Sequence, residues 1–282
     1  MTFSIRFWGV RGSIAAPGPE TATVGGNTSC VEVVCGASRF ILDSGTGIRA
    51  LGDALMKHGP VEATLLLSHH HWDHIQGLPF FTPIYIPTTK LTVVGPQTDR
   101  LSNIDVLEHQ MSSPVFPVRL EELPCALETR EVMAGDVLEL GGARIRVAKA
   151  NHPGGSLAYR IDYGGRSVVY ATDTEHYSCV DPALRALALG ADVLIYDSQY
   201  TPAEYRGECG PSKVGWGHST YEDGAKLAHS ADVGQYVLFH HDPRRNDEQV
   251  AHVERLAQSL FAGSVAAREG MVIELPARAV AA

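Results

Sequence analysis

One run, Leu65-Leu66-Leu67-Ser68-His69-His70-His71-Trp72-Asp73-His74, restricts this chain more than any other. Its first part is short and apolar, as a buried strand is, and its second part places four histidines and an aspartate within six residues. In extended backbone alternate side chains share a face, so His69 and His71 can converge on one point while His70 points elsewhere. Ile75-Gln76-Gly77-Leu78 then reads as a helix start, which directs Asp73 and His74 toward a neighbouring point. Imidazole and carboxylate together suit zinc, manganese or iron, with positions left open for water. A histidine-rich surface loop would carry the same residues, but not in this strand-to-helix context.

A metal site of this kind needs further ligands downstream, and three positions offer them. His152 sits at a strand end in Asn151-His152-Pro153-Gly154-Gly155, Asp173 ends the apolar strand at 168–171, and His240-His241-Asp242 closes the strand at 236–239. Each alone would be read as a turn, cap or hydrogen-bonded structural residue. Adjacent strand residues face opposite ways, so the sequence leaves open whether His240 or His241 turns toward the others.

Strands are expected where Phe3, Ile5 and Phe7 alternate, at Cys30–Cys35, and at 40–42, 63–67, 91–94, 193–196, 236–239 and 271–275. Helices are expected at 47–57, after Asp73, and at 98–111, 181–189, 219–231 and 246–261. Gly141-Gly142 and Gly164-Gly165 signal hairpins between 131 and 170. The two halves share this layout, which predicts an α/β (α+β) chain folded as a four-layer αββα sandwich. Residues 1–282 then form a single domain, and the proline-broken stretch 79–124 is a candidate for an insertion that covers the substrate.

At 282 residues with 44% hydrophobic content, the chain can build a large core. No apolar run reaches about 18 residues and the N-terminus lacks an apolar signal stretch, which predicts a cytoplasmic protein with no membrane partner. Five cysteines, an odd number without CxxC spacing, fit reduced thiols. The net charge of −9 opposes nonspecific binding to nucleic acid.

Taken in order, Ile41-Leu42-Asp43-Ser44-Gly45, the H-x-H-x-D-H run, His152 with Ala158-Tyr159-Arg160-Ile161, Asp173 and the late histidine resemble the metallo-β-lactamase superfamily. The likeness covers nearly the whole chain, and within the superfamily it falls in the ribonuclease Z-like and cyclic-phosphate phosphodiesterase branch. The resemblance implies that His69, His71 and His152 hold one divalent ion, that Asp73, His74 and His240 hold a second, and that Asp173 bridges them. Zinc comes first and manganese second. Asp43 is expected to order the metal loop. Leu194-Ile195-Tyr196-Asp197-Ser198 and Gly217-His218-Ser219-Thr220 resemble the ribonuclease Z segments in which an acid orients a proton-donating histidine. By itself the second segment would be read as a helix cap. Two departures stand out. Tyr196-Asp197 replaces a His-Glu pair, and the tight hairpin at 161–168 has no room for the long arm that grips transfer RNA, so full-length tRNA is disfavoured.

The implied activity is a dinuclear metal-dependent hydrolase, a phosphodiesterase on a small or cyclic nucleotide or similar phosphodiester. Metal-activated hydroxide would attack phosphorus and His218 would protonate the leaving oxygen. The catalytic set is His218, Asp197 and Asp73, the last as a ligand rather than a base. The alternative is hydrolysis of a lactone, thioester or β-lactam by the same metal centre, without the Asp197–His218 pair. A vestigial binding protein would have lost ligands, and redox relatives carry a flavin domain for which this chain has no length. Phe80, Phe81, Tyr85 and the 111–116 stretch offer aromatic surface for a base or for the core, Arg11 is expected either to reach a phosphate or to be solvated, and a homodimer is expected from relatives.

Overall fold

The computed structural model describes residues 3–98, 100–276 and 278. Strands β1 (Phe3–Gly9), β2 (Cys30–Cys35), β3 (Ser38–Leu42), β4 (Glu62–Leu66), β5 (Lys90–Pro96) and β6 (Ala126–Val132) lie side by side in that order. The first three pair antiparallel and the last four parallel. The second half repeats the arrangement with β7 (Val137–Leu140), β8 (Ala143–Ala150), β9 (Ser156–Tyr163), β10 (Arg166–Ala171), β11 (Val193–Asp197), β12 (Gln235–Phe239) and β13 (Ser264–Ala266). Here β7 to β10 are antiparallel and β10 to β13 parallel. The last strand, β14 (Val272–Glu274), returns to pair with β1.

Alternation within each strand decides the layers. In β4 and its continuation, Leu66 faces the other sheet beside Phe7, Leu42, Tyr159, Tyr170 and Phe239. Leu65 and Leu67 face outward onto α1 (Ile48–Leu55), α2 (Trp72–Ile75) and α3 (Asn103–Gln110) through Ile48, Leu51, Ile75 and Leu107. On the second sheet, Val169, Leu194, Tyr196 and Leu238 face α4 (Pro182–Ala188), α6 (Tyr221–Ser230) and α7 (Asp247–Leu260). Parallel strands covered on both faces read as continuous apolar runs, which is how the sequence showed them. The predicted αββα sandwich is therefore the observed one.

Several elements differ from expectation. The helix expected at 98–111 starts at Asn103 because Ser102 and Asp105 form a capping box; position 99 lies outside the described residues. The short helix α5 (Pro202–Arg206) and the strand β13 were not expected, and β6 was missed because it is largely exposed and carries Glu128, Arg130 and Glu131 instead of an apolar alternation. Such charged residues are typical of a sheet edge. The stretch 79–124 supplies β5 between β4 and β6, with α3 beside it, so much of it is sheet and core. Among the described residues no helix is long and apolar enough to cross a membrane. Cys30, Cys35 and Cys125 are buried and Cys179 and Cys209 exposed, all as free thiols.

Leu66 has no exposed surface and touches the inter-sheet core. Leu66→Ala should therefore lower unfolding free energy by about 2–5 kcal/mol, read from urea denaturation, whereas a change below about 1 kcal/mol would mean that the sheets do not pack through it.

Candidate metal centre

Six strands deliver the site from their C-terminal ends, where backbones leave a sheet and side chains converge on one crevice. Asp43 follows β3, the segment from His69 to His74 follows β4, His152 follows β8, Asp173 follows β10, Asp197 ends β11 and His240 follows β12. Asp43, Asp173 and His240 have φ of 60°, 49° and 60°, a left-handed conformation that costs a non-glycine residue about 1 kcal/mol or more. Three such residues at one site show that the fold holds these side chains against local preference.

His69, His71 and His152 form one group and Asp73, His74, Asp173 and His240 a second, and in each the candidate ligand atoms lie within 4.8 Å of one another. Asp173 faces both. Its Oδ2 is 3.7 Å from His69 Nε2 and 3.8 Å from His152 Nε2, while its Oδ1 is 3.2 Å from the Nε2 of both His74 and His240. Asp73 Oδ2 is also 3.2 Å from each of those two nitrogens and accepts the Ser13 amide at 2.7 Å. His70 turns away to Asn103, as alternation required. His241 also turns away, donating from Nε2 to the Ala267 carbonyl at 3.0 Å, and burial, helped by the charge of Arg11, pushes its pKa down to about 3. His240 is thus the residue that joins the cluster.

The surroundings fix which ring nitrogen is bare. His74 Nδ1 donates to Asp43 at 2.8 Å, His152 Nδ1 to the Gly217 carbonyl at 2.8 Å, and His240 Nδ1 to the Gln199 side-chain Oε1 at 2.9 Å. His69 Nδ1 donates to Ser68 Oγ, which itself donates to Asp43. With Nδ1 protonated in each, Nε2 presents a lone pair to the cluster. The Nε2 atoms of His69 and His74 are buried without any hydrogen-bond partner. Lone pairs facing carboxylates at 3.2 Å repel unless a cation lies among them. The pKa shifts carry the same message. Burial opposes a charge on His74, yet Asp173, Asp73 and Asp43 overcome it and raise its pKa well above the usual imidazole value. Burial would likewise raise the Asp173 carboxyl, but the facing His240, His74 and His69 hold it well below the usual range. The donor set fits divalent ions of the zinc or manganese kind.

Beside the cluster, His218 Nδ1 donates to Asp197 Oδ2 at 2.9 Å and lies 3.9 Å from Asp173 Oδ2, with its ring stacked on His240 at 5.0 Å. Asp197 Oδ1 accepts the Gln199 and Ser219 amides. The shorter acid therefore reaches its histidine. Burial would lower the pKa of His218, but the charge and hydrogen bond of Asp197, followed by Asp173 and Asp73, raise it to about 9. The helix cap also exists, as Thr220 accepting the Asp223 amide, so the segment carries both the cap and the His218–Asp197 bond.

Residues 38–241 match the family described as Beta-lactamase superfamily domain. The chain belongs to that superfamily. It is 30% identical over 269 residues to Ribonuclease Z of Mycobacterium avium, an alignment that spans 89% of this chain and 91% of that one. By structure it is similar to the metallo-β-lactamase fold protein YhfI from Bacillus subtilis, with a TM-score of 0.72, 19% identity and coverage of 97% and 99%. It is also similar to a diphosphatase from the PhnP family, with a TM-score of 0.71, 19% identity and 98% of each chain covered. This superfamily member is a hydrolase with His and Asp clusters able to bind metal.

Sequence reasoning missed the residues that support this superfamily site. Glu175 accepts the amides of Gly215 and Gly217 and the Tyr205 hydroxyl, holding the loop before His218. Gln199 aims His240, and Tyr170 donates to Asp43 at 2.7 Å from the opposite sheet. None belongs to a motif, because each acts through a contact distant in sequence. Arg11 corrects both earlier expectations. It is fully buried and donates to the carbonyls of Gly25, Asp242 and Arg245, so it neither meets a phosphate nor is solvated. Phe81 and Met111 are core, whereas Phe80 is exposed and packs edge-on against Phe116 at 5.7 Å.

Gly217 has φ of 85°, and a Cβ there would lie 2.2 Å from His152 Nδ1. Gly217→Ala should displace His152 and weaken metal affinity by tenfold or more, and Asp43→Asn should weaken it about 10–100-fold by releasing His74. Competition with a chromogenic chelator measures both, and unchanged affinity in both variants would contradict these roles.

Proposed function

We propose that this superfamily member is a metal-dependent phosphodiesterase acting on a small phosphodiester, either a cyclic nucleotide or a short diester-linked nucleotide. The observation that carries this reading is the Asp197–His218 pair beside the Asp173 carboxylate. A positioned proton donor serves the basic alkoxide that leaves a phosphodiester. His69, His71 and His152 would hold one ion and Asp73, His74 and His240 the other, with Asp173 shared. Two such ions, zinc or manganese, would lower the pKa of a bound water and neutralise the nonbridging phosphate oxygens.

The side chains divide the remaining work. Asp197 takes the Nδ1–H of His218 and its charge favours the imidazolium form, whose Nε2–H is then the proton for the departing alkoxide. Asp73, held by the Ser13 amide, acts as a ligand rather than a base. We read residues 1–282 as one domain of a cytoplasmic enzyme, in which Pro96, Gln97 and Thr98 of the 79–124 stretch border the substrate. They line a cavity of about 410 Å³ with His69, His71 and Gly155. The β9–β10 connection is only Gly164-Gly165, and this tight turn, with no extended arm, supports a small substrate over full-length tRNA.

Leaving-group dependence tests the assignment. His218→Ala should lower kcat on a dinucleoside phosphate by about 10²–10⁴-fold, and on bis(p-nitrophenyl) phosphate by less than about tenfold, because nitrophenolate departs without a proton. Equal losses on both would remove His218 as the donor. Wild-type turnover confined to a lactone, thioester or β-lactam would replace the phosphodiesterase reading with an acyl hydrolase.

A further inference from the structure

The loop between α5 and His218 carries features the reaction itself does not use. Lys213 donates its amide to the Tyr205 carbonyl, Trp216 donates to the Lys213 carbonyl, and Glu175 pins Gly215 and Gly217, so the loop is held in one shape. The Lys213 ammonium lies 3.9 Å from the Trp216 ring centroid and 5.9 Å from that of Tyr200. Tyr200 in turn meets the His218 ring edge-on at 5.9 Å. Among the described residues Lys213 makes no ion pair, and Trp216 leaves 54% of its surface exposed.

A cavity of about 260 Å³ opens beside Lys213, lined also by Arg244, Arg245, Glu204 and Asp242. Arg245 is paired with Glu204 and Arg244 with Asp242, which leaves Lys213 as the unmatched cation. In a chain of net charge −9, a fixed positive edge one aromatic ring, Tyr200, away from His218 departs from the average field.

We infer that Lys213 and Trp216 form a second subsite beside His218, where the ammonium takes the phosphate next to the scissile one and the indole stacks its base. This inference rests on the phosphodiesterase reading and narrows it. The substrate class is a short oligonucleotide with at least two phosphates, in preference to a lone cyclic phosphate. A basic groove with an aromatic platform is how single strands are bound without sequence preference. A cation over an indole could equally serve as a staple for the loop, and the test separates the two.

The experiment compares metal-loaded wild type, Lys213→Ala, Lys213→Arg and Trp216→Ala on UpUpU, UpU and bis(p-nitrophenyl) phosphate. In Lys213→Ala the ratio of kcat/KM on UpUpU to that on UpU should fall about five- to tenfold, mainly through KM, and Lys213→Arg should restore it. Trp216→Ala should lower the same ratio. The slope of log kcat/KM against log salt on UpUpU should flatten by about 0.7 in Lys213→Ala, the loss of one phosphate contact on a single strand. An unchanged ratio, or equal losses on all three substrates with an unchanged salt slope, overturns the subsite. Wild-type protein that cleaves no diester overturns the phosphodiesterase reading and the subsite with it, and bis(p-nitrophenyl) phosphate reports that outcome independently of Lys213.

Discussion

The buried carboxylate of Asp173 is the constraint on which the site is built. An anion removed from water is costly unless positive charge faces it. Here one oxygen turns toward His69 and His152 and the other toward His74 and His240, all through nitrogens that their outer partners leave bare. Protons on those rings could neutralise the carboxylate, but several imidazolium ions packed ring to ring would repel one another. His69 and His74 have centroids only 4.3 Å apart, and His69 is held well below the usual imidazole pKa by burial, then by His74. Divalent cations held by these residues would relieve both repulsions at once.

The outer partners make that arrangement rigid. Asp43 accepts from Ser68, His74 and Tyr170, and so joins the β4 strand end, the metal loop and the opposite sheet through one carboxylate. Tyr159 adds a second cross-sheet bond to the Leu67 carbonyl at 2.6 Å. The αββα sandwich therefore does more than carry the ligands. Its two sheets are fastened together at the edge where the candidate ligands emerge, which keeps the two groups at a fixed distance from the His218–Asp197 pair.

Much of this was legible in the sequence because local and global requirements coincide at the strand ends. His69, His71, Asp73 and His74 announce themselves by spacing, His152 follows an alternating strand, and Asp173 and His240 each follow an apolar one. The choice of His240 over His241 came from the family resemblance alone, since alternation left it open: it depends on the left-handed φ of His240, which no pattern of neighbours specifies. Glu175, Gln199 and Tyr170 were invisible for a related reason: each makes its decisive contact dozens of residues away. Arg11 misled because a charged residue in a glycine-rich turn is ordinarily at the surface, whereas here three backbone carbonyls draw it inside. Of the edge strands, β6 carries charge where a pattern search looks for apolar alternation, and β13 has only three residues.

The central claim is a dinuclear centre bridged by Asp173, and metal stoichiometry tests it most directly. Chelator-stripped protein titrated with zinc or manganese in a calorimeter should take up two ions per chain, with Asp173→Ala taking up one or none and losing the accompanying rise in Tm. Wild type that binds no more than one ion, or an Asp173→Ala variant that binds two with unchanged affinity, would contradict it.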